Sequence, residues 1–297
     1  MNIPKSGEAW EQLEKKVDRF VEALIEEKDL PGITVAVTQG GRLLLSKGYG
    51  YALVDGMRKF PMKPCSHSRI GSVTKAVVTG PSAYQLAKSK NIDLKAQRLY
   101  GPDGFFGGMF DADIDIGIKT HASKSDQWRE WYRKITMQHL LDHRAGFAGS
   151  GDTEGAAKMF GVSADQLTYE QVHRHFLRTR ELLHEPGTDY EYSNHGFGLW
   201  TVLIQKLSGK SYLDYVLEEY LKPMKLHNAV QPERANSNSC DAYNHKFNSN
   251  QKPEVLPFKE HGLGLAAGGF RSSAQDLVRL TVSLDKKYTT AELDRAC

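Results

Sequence analysis

The tight connection Gln39-Gly40-Gly41 joins two short apolar runs, Ile33-Thr34-Val35-Ala36-Val37-Thr38 and Arg42-Leu43-Leu44-Leu45-Ser46. A link this short admits only an antiparallel hairpin, because parallel neighbours need a crossover of about a dozen residues or more. A sheet therefore opens near the start of the chain. Ahead of it Trp10, Leu13, Val17, Phe20, Val21, Leu24 and Ile25 recur every three or four residues among Glu, Lys and Asp, which predicts an amphipathic helix ended by Pro31-Gly32. After Tyr49-Gly50-Tyr51 the chain is expected to leave the sheet through a connection rich in Pro, Lys and Gly.

That connection ends at Arg69-Ile70-Gly71-Ser72-Val73-Thr74-Lys75. On a helix, Ser72 and Lys75 share a face one turn apart, which sets an amine beside a hydroxyl. A serine hydroxyl attacks a carbonyl only when a base takes its proton, and a helix N-terminus favours the charge that develops. The Ser-x-x-Lys pattern alone is common: Ser249-Asn250-Gln251-Lys252 and Ser283-Leu284-Asp285-Lys286 fit it too. Gly80-Pro81 interrupts the helix that follows Ser72 and predicts a kink or break near Val77 to Gly80.

Leu99 to Gln127 is rich in Gly and Asp and reads as an insertion or long loop. Asp111, Asp113 and Asp115 alternate as calcium ligands do, but Ile116 stands where such a loop needs glycine and Ala122 where it needs a bidentate acid. Solvated loop carboxylates are the expectation. Ile135 to His143 predicts a short helix capped by Thr136. Its His139 and His143 lie four apart, but His-Leu-Leu-Asp-His lacks the metalloprotease glutamate and has no third ligand, so hydrogen-bonded structural histidines are expected. A helix carrying Leu199, Trp200, Leu203, Ile204 and Leu207 follows Asn194 and closes at Gly209. Ser211 to Asp214 reads as a capping box for another helix that Pro223 ends. Gln231 to Pro257 is polar and Asn-rich, a surface excursion, and a last helix begins near Ala274 with Ser273 as its cap.

The net charge of +3, from 39 basic and 36 acidic residues, gives no strong field, which argues against nucleic acid as a partner. No stretch has the length and apolarity of a membrane span, and the polar start has no secretion-signal core, so a cytoplasmic protein is expected. The three cysteines Cys65, Cys240 and Cys297 form no Cys-x-x-Cys and suit free thiols in a reducing compartment.

Leu30-Pro31-Gly32, Arg69 to Lys75, Ile135 to Gly146, Pro186-Gly187 to Asn194, and Ala267-Gly268-Gly269 to Leu277 occur in that order. Together they resemble the serine β-lactamase and penicillin-binding-protein superfamily. The likeness is strongest to its class C branch, which holds D-Ala-D-Ala peptidases, family VIII-type carboxylesterases and some acyltransferases. It covers nearly all of the chain except Leu99 to Gln127. Tyr192-Ser193-Asn194 is the only Tyr-x-Asn in the sequence and matches the branch's second motif.

The resemblance implies an α+β, β-lactamase/transpeptidase-like fold: a mostly antiparallel sheet flanked by helices, from residues 1–60 with 262–297, and a mainly helical lobe over 61–261 that carries Ser72 and Tyr192. It implies an acyl-enzyme on Ser72, with Lys75 and Tyr192 exchanging a proton near neutral pH. Either of the two could deprotonate Ser72. Family analogy makes Tyr192 the shuttle to the leaving group and gives Asn194 a hydrogen bond to the substrate. No cofactor or metal is implied. The substrate is a small-molecule ester or amide: carboxylesterase activity comes first, β-lactam or D-Ala-D-Ala peptide hydrolysis second. A third reading is a catalytically dead member acting as a binding or scaffold protein. The branch's third motif, Lys-Thr-Gly or His-x-Gly, has no match after Asn194. A last helix reaching about Asp285 leaves twelve residues, whereas three closing strands need roughly twenty or more. The expectation is a truncated form with an incomplete sheet, inactive or nearly so, self-associating through an unpaired edge and continued past Cys297 in a longer version.

Overall fold

The computed structural model describes residues 8–55, 57–120, 125–226, 230–232, 242, 245–246, 254–255 and 262–284. The chain divides into two compact units, Met1–Gly71 with Leu221–Glu260 and Phe270–Cys297, and Ser72–Tyr220 with His261–Gly269.

The first unit is built on helix α1 (Glu8–Lys28) and an antiparallel sheet of β1 (Gly32–Gln39), β2 (Arg42–Asp55) and β3 (Arg58–Pro61), in that spatial order. Gly40 and Gly41 both have positive φ, 58° and 76°, as a two-residue hairpin turn with the right twist requires. The register runs from Gly32 opposite Gly50 to Gln39 opposite Arg42, with a bulge between Val37 and Thr38. Contrary to the sequence expectation, the chain does not leave the sheet after Tyr51. β2 continues to Asp55 and pairs with β3, Val54 opposite Lys59 and Asp55 opposite Arg58. Asp18 ties α1 to β2, accepting from Lys47 Nζ at 3.0 Å and the Tyr49 hydroxyl at 2.7 Å. Val21 is buried, but Phe20, counted in the apolar stripe, is 69% exposed because it lies off the packed face.

The helix Ala274–Leu284 packs on β1 and β2, where Ser46 Oγ donates to Gln275 Oε1 at 3.1 Å. Ser273 caps it as predicted, accepting the Asp276 N–H at 3.2 Å. A second antiparallel sheet places Phe270–Ser272 between Ser68–Arg69 and Val230–Pro232. Most of the excursion expected over Gln231 to Pro257, Cys240 and Cys297, and residues 285–297, on which the expected incomplete sheet bears, lie outside the described residues.

The second unit is helical. A wide turn, Lys75–Thr79, leads into α2 (Gly80–Ser89), and α3 (Asp111–Thr120), α4 (Ser125–Lys134), α5 (Met137–Leu141), α6 (Thr153–Phe160) and α7 (Tyr169–Thr179) follow. Next come α8 (Asn194–Gly198), α9 (Trp200–Ser208), α10 (Tyr212–Tyr215) and α11 (Leu265–Gly268). The break predicted by Pro81 is the wide turn, in which the Gly80 N–H reaches back five residues to the Lys75 carbonyl. Proline has no N–H for the carbonyl four residues earlier. That carbonyl, on Val77, accepts instead from the Tyr220 hydroxyl at 2.7 Å. Thr136 caps α5 with His139 closing the box, Gly209 ends α9 at φ 73°, and Ser211 caps α10.

The stretch from Leu99 to Gln127 is not one long loop. It contains α3, whose Ile114 and Ile118 are buried. Gly117 sits where an added Cβ would lie 2.0 Å from the Leu177 carbonyl, so glycine permits α3 and α7 to touch backbone to backbone. Asp113 is correspondingly not a solvated carboxylate. It is 1% exposed and accepts from Arg174 Nη1 and Arg178 Nε, each at 2.6 Å.

Candidate active site

Ser72, Lys75, Tyr192 and Asn194 come together within the helical unit. Ser72 stands exposed one residue before the helical turns begin, and Lys75, one turn on, is 5% exposed. The Lys75 Nζ lies 3.1 Å from Ser72 Oγ and 2.6 Å from Asn194 Oδ1, and it also donates to the carbonyl of Ala267 at the end of α11. The Tyr192 hydroxyl, 39% exposed as a residue, donates to Ser72 Oγ at 2.6 Å. Nζ also sits 5.0 Å from the centre of the Tyr192 ring and 5.5 Å from that of Phe197. Local sequence explains the placement. Ser193 caps α8 in an extended conformation, its Oγ accepting the Gly196 N–H at 3.0 Å, which leaves Tyr192 just before the cap and Asn194 in the first turn.

Two of the acceptors around Nζ, the Asn194 and Ala267 oxygens, can only accept, so Lys75 must spend two N–H groups on them. Toward Ser72 it can present either a third N–H or a lone pair. A neutral phenol with a neutral amine, and a phenolate with an ammonium, are therefore the two forms of one network, differing by the position of one proton. Burial pushes the Tyr192 phenol up, but hydrogen bonding to Lys75 and Ser72 and the lysine charge outweigh it and bring the pKa below its ordinary value. The oxygen of Asn194 is committed to Lys75, and its Nδ2 faces Ser150 Oγ at 3.2 Å.

The sequence reading did not single out Ala267, Ser150 or Phe197 for the site, and it treated His143 only as a structural residue. His143 Nδ1 accepts the Ser193 N–H at 3.0 Å, while its ring lies 4.4 Å from that of Tyr192. His139 is instead engaged in the α5 cap, where its Nδ1 accepts the Thr136 N–H at 3.3 Å. The spacing of His143 from His139 and its place in the Ile135 to Gly146 stretch of the resemblance were the two signals that pointed to it. Among the described residues no cluster of three or more His, Cys, Asp or Glu is placed to hold a metal ion, and no helix is long and apolar enough to cross a membrane.

A β-lactamase family model matches residues 17–296, and the chain belongs to that family, whose members are serine hydrolases. Its fold is β-lactamase/transpeptidase-like, mixed helix and small antiparallel sheets. Among curated proteins it is similar to protein flp of Staphylococcus aureus strain N315, 24% identical over 81% of this chain and 44% of that protein. It is also similar to penicillin-binding protein 4* of Bacillus subtilis strain 168, 25% identical over 82% of this chain and 48% of that one. The chain thus spans less than half of these relatives. Among solved structures it is similar to a class C β-lactamase, with TM-score 0.69 and 19% identity over 98% of this chain and 70% of that one. The hydrolase EstCE1, which has promiscuous acyltransferase activity, gives 0.68 and 19% over 95% and 74%. An octameric penicillin-binding protein homologue from Pyrococcus abyssi gives 0.65 and 21% over 94% and 59%.

Proposed function

We propose that the chain is a serine hydrolase working through an acyl-enzyme on Ser72, with small carboxylic esters as its first substrate class. The observation that carries this is the convergence of the Tyr192 hydroxyl, at 2.6 Å, and Lys75 Nζ, at 3.1 Å, on one exposed serine oxygen. In the proposed reaction Ser72 Oγ adds to the acyl carbonyl as its proton passes to whichever partner is unprotonated, Lys75 or Tyr192. The adduct collapses, the C–O bond to the leaving alcohol breaks, and Tyr192 returns a proton to that oxygen. Water, or an alcohol in transfer, then adds to the acyl carbon as its proton passes to the same Lys75 and Tyr192 pair. The bond from that carbon to Ser72 Oγ breaks, and the pair returns the proton to the serine oxygen. Esters come first because an alkoxide needs less help from the proton donor than an amine does.

The second reading, β-lactam or peptide hydrolysis, draws on the similarity to a class C β-lactamase and to penicillin-binding protein 4*. Incubation with a fluorophosphonate and with a β-lactam probe, followed by peptide mapping, separates the readings. An adduct on the Ser72 peptide supports acylation, and its probe preference ranks ester against lactam. An intact, folded chain with no adduct at Ser72 from either probe would leave the scaffold reading in possession. Self-association belongs to the same proposal, since one structural neighbour is octameric and β1 pairs on one side only among the described residues. A monomer at all concentrations in sedimentation would remove it.

A further inference from the structure

Building on that acylation reading, we infer that His143 is a positioning residue that clamps Tyr192 against Ser72 from three sides. Its backbone carbonyl accepts the N–H of Glu191 at 2.8 Å, the residue before the tyrosine. Its Nδ1 accepts the N–H of Ser193 at 3.0 Å, the residue after it. Its ring lies along the tyrosine itself, with centroids 4.4 Å apart and planes 30° from parallel, and reaches the Phe197 ring at 5.0 Å. One side chain and one peptide group thus hold the backbone on both sides of Tyr192 and limit the swing of its ring.

The backbone conformation of His143 belongs to the same device. Its φ is 58°, in the left-handed region where a residue with a Cβ is uncommon. An asparagine or glycine would fit that turn with less strain, but neither carries a ring. Nδ1 acts as an acceptor, so the ring must be neutral with its proton on Nε2, because an imidazolium would set N–H against N–H at Ser193. The groups that face it are Lys75, Asp142, Tyr190 and Tyr192. Burial and the Lys75 charge lower its pKa against the opposing pull of Asp142, which keeps the clamp closed at neutral pH.

The test compares His143→Gly, which removes ring and acceptor without straining the turn, with His143→Asn, whose Oδ1 replaces the acceptor alone. The first readout is the rate constant for fluorophosphonate labelling of Ser72. The second is the ionisation of Tyr192, read by absorbance as the difference between each chain and its Tyr192→Phe counterpart. A displacement of about 1 Å costs a reaction about a hundredfold. His143→Gly should therefore label about a hundredfold more slowly, and its Tyr192 should titrate nearer the ordinary phenol value of about 10. His143→Asn should stay within about tenfold of the native rate, since it keeps the hydrogen bond. A folded His143→Gly chain with native labelling and native Tyr192 ionisation overturns the clamp. Should that variant not fold, hydrogen exchange on the native chain decides: a slowly exchanging Ser193 amide at neutral pH supports the clamp and a freely exchanging one overturns it. If native Ser72 takes no adduct, the acylation reading falls, while the tyrosine titration and the amide exchange still report whether His143 holds Tyr192.

Discussion

Lowering the pH from 8 to 5 should destabilise the helical unit through two histidines in its interior. His173 and His195 are both fully buried and joined from Nδ1 to Nε2 at 2.8 Å. Tyr100 meets the outer nitrogen of His173 at 2.6 Å, and Tyr169 meets that of His195 at 3.2 Å. The Tyr169 hydroxyl spends its proton on the His195 carbonyl at 2.8 Å, so His195 Nδ1 must donate to it. His195 Nε2 then accepts from His173 Nδ1, and His173 Nε2 accepts from Tyr100. Only one proton arrangement satisfies every member, and both rings are neutral in it. Burial lowers the His195 pKa to about 3 and, with the neighbouring His195 and Arg174, drives that of His173 well down. The unfolded chain takes up protons near the ordinary value of 6.5 while the folded chain does not. The unfolded state therefore binds more protons over this window, and stability falls as pH falls from 6.5 toward 3. At pH 5 His195 alone accounts for about 2 kcal/mol, a large share of a typical margin of about 5–15 kcal/mol. His173 adds to it in the same direction. Urea unfolding at pH 8 and pH 5 should show the midpoint fall by about 1 M from His195 alone, for a slope near 2 kcal/mol/M, and by more with His173 added. His195→Gln, which cannot titrate, should lose about 2 kcal/mol less than the native chain over the same interval. Equal losses in the two chains would refute the reasoning, because groups common to both cancel in the comparison.

Three further outcomes are expected. Ser72→Ala should abolish labelling by either probe, whereas Ser249→Ala and Ser283→Ala, which alter the other two Ser-x-x-Lys matches, should label at the native rate in peptide mapping. Tyr192→Phe keeps the ring over Lys75 but removes the proton carrier. Steady-state ester hydrolysis should show turnover down by about a hundred- to ten-thousand-fold with little change in KM, and a KM effect alone would reduce Tyr192 to a packing residue. Asp113→Ala leaves Arg174 and Arg178 facing each other without their shared carboxylate, and thermal or urea unfolding should show a loss of about 3 kcal/mol.

What the sequence disclosed and what it withheld divide by range. The hairpin, the caps at Thr136, Ser211 and Ser273, the Pro81 break and the Ser72 to Lys75 face all depend on residues within one or two turns of each other, so spacing alone reveals them. Asp113 was misread because its partners arrive 61 and 65 residues later, on a helix whose own pattern had not been separated from its surroundings. The continuation of β2 was missed because Gly50 and Tyr51 look like an exit until β3 is present to pair with Leu53, Val54 and Asp55. In the candidate site, sequence brought the hydroxyl and the amine together but not the oxygens that govern the amine. Asn194 Oδ1 is 119 residues from Lys75, and the Ala267 carbonyl is 192 residues away and, being backbone, leaves no residue-type signature. Those two acceptors fix two of the three N–H directions on Nζ and leave the third, toward Ser72, to be set by the protonation of Tyr192. For the proposed acylation, the choice between lysine and tyrosine as the base is thus one question about one shared proton. In the proposed clamp, a residue that holds the tyrosine at 2.6 Å from Ser72 bears on that proton through the tyrosine, as the Asn194 and Ala267 oxygens bear on it through the lysine.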